Sequence, residues 1–352
     1  MINERIRRAR ILRGLSLEEL AQQLGDITKQ GVSKFERGDS IPNSTRLLQF
    51  AKALQVKPEY FFRADSVSLA PLEFRKLAKM PKYRQDQVSE QIREHLERYI
   101  SLEACFDAVD VRLPVVKSHY LPVSSSQLAE DAAKQLREEW GVGNDAIANL
   151  TELLEDRGIK VALLDGFEDF DGACAATVDK KHVLFALNTR RPGERMRFTA
   201  AHELGHWVMA IPNEVLEKDK ESFCHRFAGA ILYPSDQVKL DFGEHQRSRV
   251  HSRELLNAKR RYGVSMQVVL RRLKDLELLS EAGYKSSYIE FSMNGWRSAE
   301  PEPMPVERPC RFESLVFWGL AEGLFSPSRA AEFMQQSIAE LNQSIPRSVN
   351  HE

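Results

Sequence analysis

The pentapeptide His202-Glu203-Leu204-Gly205-His206, set in "RFTAAHELGHWVMA", constrains this chain more than any other feature. Two histidines at i and i+4 lie on one face of a helix, one turn apart and close enough to share an ion. Both imidazoles then reach a single ion at about 2.0 to 2.1 Å. Glu203, next to His202, stands beside that ion, where it can take a proton from an activated water and return it to a leaving amine. Phe198, Ala201, Leu204, Trp207 and Val208 supply the apolar surface that would bury the helix.

A catalytic zinc needs a third protein ligand and an open fourth position. Downstream, "KESFCHRFAGAILYP" offers Glu221, Cys224 and His225 on one predicted helix, and each residue type binds zinc. Glu221 is favoured on hydrolytic grounds, because a thiolate donates more charge and weakens the ion as a Lewis acid. Cys224 and His225 read as helix packing.

Residues 1–60 carry 11 Lys/Arg against 7 Asp/Glu, whereas the whole chain has a net charge of -1. That asymmetry fits a basic head facing nucleic acid on a more acidic body. Within the head, Ile6, Ile11, Leu15, Leu20, Ala21, Leu24, Val32, Phe35, Ile41, Leu47, Leu48, Ala51, Leu54 and Phe61 are spaced as if short helices shared one small core. Gly25 ends one helix, and Thr28 can cap the next, "KQGVSKFE", by accepting an N–H from its first turn.

In a helix-turn-helix unit that second helix enters the major groove. Lys29, Gln30, Ser33 and Lys34 lie away from the core-facing Val32 and Phe35. Gln30 can pair with adenine, and Lys29, Lys34 and Arg37 with guanine or phosphate. Thr28, Lys29, Gln30, Ser33, Lys34 and Arg37 are therefore the candidate contacts to a double-stranded DNA operator. Gly31 costs about 1 kcal/mol of helix propensity, for which close approach to DNA is a sufficient reason.

With 352 residues, 42% of them hydrophobic, the chain can bury several cores and should form a multidomain, mainly α protein. The expected parts are 1–65, a five-helix DNA-binding domain; 66–110, a helical connector; 111–243, an α+β domain with a small sheet around the histidine helix; 244–280, a helical cap; and 281–352, a linker with two closing helices. In the connector, Val88, Ile92, Leu96, Tyr99 and Phe106 mark one apolar helix face. "IKVALL" and "HVLFAL" read as strands, and the sequence loosens past Gly283.

No run of about 18 apolar residues appears, and the opening "MINERIRRARILRG" lacks the apolar core of a signal peptide. A cytoplasmic location without a membrane partner is expected. Cys105, Cys174, Cys224 and Cys310 form no C-x-x-C pair and suggest reduced thiols.

Residues 2–62 resemble the Xre/Cro-repressor family, through "KQGVSKFERG", a following proline and "LLQFAKAL". One departure is Asp26, added between Gly25 and Ile27, which lengthens the turn. Such domains commonly bind as dimers to half-sites about 34 Å apart, so the resemblance implies a homodimer. Residues 111–243 resemble the ImmA/IrrE family of metallopeptidases, through "RFTAAHELGH" and "ExxCxRFAGAxLYP". The resemblance implies a zincin-like fold with zinc (Zn2+) held by His202, His206 and Glu221 and Glu203 as general base. Tyr233 stands where that family usually has Met.

Together these imply a transcriptional repressor whose zinc-dependent endopeptidase domain couples a signal to cleavage of itself or of a partner. An alternative is an antitoxin or phage-type immunity repressor that uses the zinc domain as a scaffold for a toxin partner.

Overall fold

The computed structural model describes residues 2–63, 67–70, 80–107, 113–117 and 121–344. The expected domain boundaries at 65/66 and 110/111 lie outside the described residues. The chain gathers into two compact units, one of Met1–Val111, Ala175–Asp179 and Phe312–Glu352, the other of Arg112–Cys174 and Lys180–Arg311.

The first unit begins with α1 (Ile2–Leu12), α2 (Leu17–Leu24), α3 (Lys29–Arg37), α4 (Ser44–Leu54) and a 3-10 turn, Pro58–Phe62. Local chemistry sets these boundaries. Ser16 and Glu19 form a reciprocal capping box at α2, and Gly25 ends that helix at φ 78°, a left-handed conformation that glycine takes without steric cost. Thr28 and Asn43 cap α3 and α4 through their side-chain oxygens, each cap worth about 1 kcal/mol. Ile6, Leu20, Val32, Phe50, Leu54 and Phe61 are fully buried in one cluster.

Three residues expected in this core are not in it: Ile41 is 86% exposed, Leu48 57% exposed, and Ile11 is half-buried outside the cluster. Leu48 follows Leu47 on α4, and the helical turn of about 100° per residue lets only one of them face inward. Ile41 lies in the loop before α4, and Phe50 and Tyr60 fill the core instead.

α5 (Lys82–Glu103) buries Val88, Ile92, Leu96 and Tyr99 on one face, and Phe106 in the 3-10 turn that follows it is buried as well. It is tied to α1 by ion pairs from Arg5 to Glu97 at 2.6 Å and from Arg8 to Glu97 at 2.8 Å and Glu90 at 2.9 Å.

The second unit starts at β1 (Leu121–Pro122), followed by α6 (Ser126–Trp140), α7 (Leu150–Asp156), β2 (Ile159–Leu164), β3 (Gly172–Ala176) and β4 (Val183–Asn188). The sheet order is β2-β4-β3, with β2 and β4 parallel from Ile159↔Val183 to Leu164↔Asn188. Their largely apolar runs, interrupted by Lys160 in β2 and ended by Asn188 in β4, suit parallel strands covered on both faces. α8 (Gly193–Val208) then carries the histidine pentapeptide, and β5 (Met209–Ala210) pairs with β1. α9 (Glu217–Leu232), α10 (Ser235–Phe242), α11 (Ser252–Tyr262), α12 (Met266–Asp275) and α13 (Glu281–Met293) follow. α14 (Arg311–Ala321), α15 (Pro327–Phe333) and α16 (Ile338–Ser344) close the chain.

α13 falls where a loosened segment was expected, and α16 is a third closing helix where two were expected. The composition "EAGYKSSYIEFSM" hid α13, which Ser280 caps through the Gly283 N–H.

Inside the second unit, Glu130 of α6 accepts bonds from Arg226 of α9 at 2.5 Å and from Arg272 of α12 at 2.6 and 2.7 Å. That triad fixes α9, which carries Glu221, against its neighbours. α8 and α9 approach closely at Gly205, where an added Cβ would lie 3.1 Å from Phe227 Cδ1. A side chain between Leu204 and His206 would press on Phe227 and Met209, so the glycine suits the close approach of the two ligand-bearing helices.

Candidate metal centre and recognition helix

α8 places His202, buried, and His206, half-buried, on one face as the spacing requires. His206 Nε2 lies 3.1 Å from His202 Nε2. α9 brings in Glu221, with Oε2 3.1 Å from His202 Nε2 and Oε1 3.4 Å from His206 Nε2. Three donors this close crowd their lone pairs unless a proton or cation sits among them. The edges of a tetrahedron around an ion with bonds of 2.0 to 2.1 Å measure about 3.3 Å, so the donor set fits a tetrahedral zinc site. Burial would raise the Glu221 pKa, but the hydrogen bonds from His202 and His206 outweigh it and hold the carboxyl well below the usual range.

Glu203 is 3% exposed and projects beside the pair. Its Oε2 accepts the backbone N–H of Cys174 at 3.0 Å, from β3 at the edge of the sheet. β3 escaped the sequence reading because "GACAA" has small residues and no apolar alternation; in the structure its backbone supplies a hydrogen bond to Glu203.

Of the residues read as packing, Cys224 is fully buried, whereas His225 is exposed and lines the cleft. Its ring centroid is 4.5 Å from that of His202, and donor atoms of His202, Glu221 and His225 lie within 4.8 Å of one another. His225 Nδ1 is 2.7 Å from the Glu221 carbonyl oxygen, which can only accept, so this nitrogen carries the proton. His206 has the tighter geometry with the other two donors. A cleft of about 400 Å³ beside the site is lined by Phe198, Lys218, Glu221, His225, Arg226 and Arg271, among others.

On the other unit, α3 exposes Thr28, Lys29, Gln30, Lys34 and Arg37, with Ser33 half-buried. Val32 is fully buried and Phe35 stacks edge-on against Phe50 at 5.6 Å. Thr28 Oγ1 is engaged by the Gly31 N–H at 3.3 Å, and Arg37 pairs with Asp39 at 2.8 Å. Asp26, the extra turn residue, is held by Arg46 at 2.6 Å. Gly31 has a local reason to be glycine: an added Cβ would meet Ile27 Cγ1 at 2.5 Å.

These features define a protein with a helix-turn-helix head and a separate zincin-like domain built on a two-histidine helix. Residues 6–61 match the helix-turn-helix family, and residues 154–274 match the family described as the IrrE N-terminal-like domain. The chain thus joins an Xre-type helix-turn-helix domain to an IrrE/ImmA-like metallopeptidase-family domain. It is similar to an uncharacterized HTH-type transcriptional regulator, y4wC, of Sinorhizobium fredii (strain NBRC 101917 / NGR234), with 39% identity over 61 residues. That match covers 17% of this chain and 42% of the relative. Among the described residues, no helix is long and apolar enough to cross a membrane.

Proposed function

We propose that this protein is a DNA-binding transcriptional repressor with a zinc-dependent endopeptidase domain that couples a signal to proteolysis, of the repressor itself or of a partner. The observation that carries the reading is the convergence of His202, His206 and Glu221 beside an anchored Glu203, in the same chain as an exposed basic recognition helix. A zinc held by those three residues would supply Lewis acidity toward a peptide carbonyl and a water.

The chain's own residues do the rest. Glu203 takes the proton of the attacking water and delivers it to the amine as the peptide bond breaks. The β3 backbone keeps its carboxylate turned to that task. α8, packed through Gly205 on α9, holds the ligands at fixed separation. At the head, Gln30 and Lys34 read base edges while Lys29 and Arg37 hold phosphates. A homodimer presents two such helices to an operator with paired half-sites.

The deciding experiment compares wild type with Glu203→Gln in cells, combining zinc analysis, terminus-selective proteomics and DNA footprinting. New protein termini that depend on Glu203, together with an operator footprint that changes when they appear, support the reading. Identical termini in both strains would overturn its proteolytic half, and no footprint its regulatory half.

A further inference from the structure

Within the first unit, Arg5 of α1, Arg63 beyond the 3-10 turn, Arg98 of α5 and Arg329 of α15 line one cavity of about 240 Å³. Its lining carboxylates among the described residues, Glu97 and Glu332, are both engaged. Glu97 is held by Arg5 at 2.6 Å and Arg8 at 2.8 Å, and Glu332 by Arg63 at 2.8 Å and Arg329 at 2.5 Å. Arg98 has no carboxylate within ion-pair distance among the described residues. Its Nη1 donates to the Phe333 carbonyl at 2.9 Å, its Nη2 meets His95 Nδ1 at 3.1 Å, and its Nε is buried without a partner.

Four guanidinium groups therefore face two carboxylates that are already shared. Glu94, outside the lining, pairs with Arg63 at 3.2 Å and acts on Arg98, and burial raises its pKa; even with Glu94 counted, three carboxylates stand against the four guanidinium groups, and Glu97 is shared with Arg8 as well. Burial lowers the Arg98 pKa, and Arg63 lowers it further. His95, with its pKa brought down to about 3 by burial and by Arg98, is a neutral acceptor and brings no charge of its own.

We infer that this cavity is a binding site for a small dianion, carried by a phosphate or by a short dicarboxylate. A guanidinium taken partly out of water and short of counter-charge destabilises the fold, and a bound anion relieves it. Guanidinium groups present paired N–H donors that match both oxyanion types. Arg98 lies over the Phe312 ring at 5.4 Å and Arg329 over Phe333 at 4.6 Å, so stacking sets the planes of both forks. The volume is that of about eight waters, enough for a tetrahedral oxyanion or a four-carbon dicarboxylate.

The site joins three parts of the chain that sequence keeps apart: the first helix of the DNA-binding head, α5, and α15 near the C-terminus. A dianion bound there cross-links them, giving the head an input independent of the peptidase site.

The test uses the full-length protein, with sodium phosphate and sodium succinate titrated separately by calorimetry against sodium chloride of equal ionic strength. Wild type is expected to bind at least one of the two anions at one per chain, with a raised melting midpoint. Arg98→Gln and Arg329→Gln should each weaken binding at least tenfold while keeping the circular dichroism spectrum; the side chain of Arg329 is 42% exposed, so that variant keeps the test valid if Arg98→Gln fails to fold. Lys29→Ala/Lys34→Ala, which removes charge from the recognition helix, should leave binding unchanged. A preference for phosphate or for succinate assigns the anion type. The proposal is overturned if neither anion binds beyond chloride, if the folded arginine variants bind as wild type, or if the lysine variant abolishes binding.

Discussion

Glu203 Oε2 accepts the backbone N–H of Cys174 at 3.0 Å, which ties the candidate base on α8 to the edge strand β3. Glutamine keeps an acceptor oxygen for that bond but cannot take a proton at neutral pH. Glu203→Gln should therefore bind zinc and melt like wild type, while hydrolysis of a cleavable substrate falls by about 10²- to 10⁴-fold. Unchanged hydrolysis in a zinc-loaded sample would remove Glu203 from the role of base.

The donor set gives a separate prediction that needs no substrate. Zinc at about 1,000 times its dissociation constant should stabilise the fold by about 4 kcal/mol, read as a higher melting midpoint that a chelator reverses. His206→Ala and Glu221→Ala should abolish both the shift and the bound zinc, whereas Cys224→Ala and His225→Ala should retain them. Loss of zinc in His225→Ala alone would move the ligand set toward His202, Glu221 and His225.

Glu130 lies between Arg226 and Arg272 and is 7% exposed. Burial alone would raise its pKa, but the two arginines lower it below the ordinary value. The stability it contributes is thus fully present above the unfolded pKa of about 4.3 and is lost as pH falls through the lower folded value. Glu130→Gln leaves two buried guanidinium groups short of a counter-charge and should cost about 3 kcal/mol near neutral pH. Denaturant midpoints measured from pH 7 to pH 3 should show the variant's deficit shrinking with acid; a constant deficit would refute the charge argument.

Gly31 and Ile27 should be energetically coupled. Alanine at 31 gains about 1 kcal/mol of helix propensity, but its Cβ falls 2.5 Å from Ile27 Cγ1, and such overpacking costs about 1 to 3 kcal/mol. Gly31→Ala should be net destabilising in urea titration, and Ile27→Ala in the same chain should restore part of the loss. Additive effects would show that the clash is absorbed elsewhere.

On DNA, Gln30→Ala and Lys29→Ala should differ in kind. Removing Gln30 should cost about 1 to 3 kcal/mol on the specific operator and relax the choice at one base pair, while removing Lys29 should weaken all sequences alike and reduce the salt slope by about 1. Fluorescence anisotropy at several salt concentrations separates the two, and equal losses on operator and random DNA for Gln30→Ala would exclude base reading by that residue.

Much of the molecule is legible in the letters, for reasons that can be named. The capping residues Ser16, Thr28 and Asn43 and the terminating Gly25 act within one turn of their own positions, so helix ends in the head can be read directly. Strands β2 and β4 announce themselves as short runs of mostly apolar residues, with Lys160 the one break in β2. Leu48 misleads because apolarity alone does not tell which of two adjacent leucines faces inward, and "GACAA" and "EAGYKSSYIEFSM" carry too little periodicity to reveal a strand or a helix.

By itself the sequence determined the spacing of His202, Glu203 and His206 on a helix, because an interval of four residues has only one helical consequence. It narrowed the next ligand to Glu221, Cys224 or His225, three residues of one helix, and chemistry and family likeness favoured the glutamate. Only the tertiary structure decided which of their donors converge, how the α8–α9 contact at Gly205 brings Glu221 to the histidines, that a backbone N–H of β3 bonds to Glu203, and that four arginines from distant parts of the chain meet in one cavity. These relationships depend on how helices and strands pack across long separations, and packing is a property of the folded chain that no local pattern encodes.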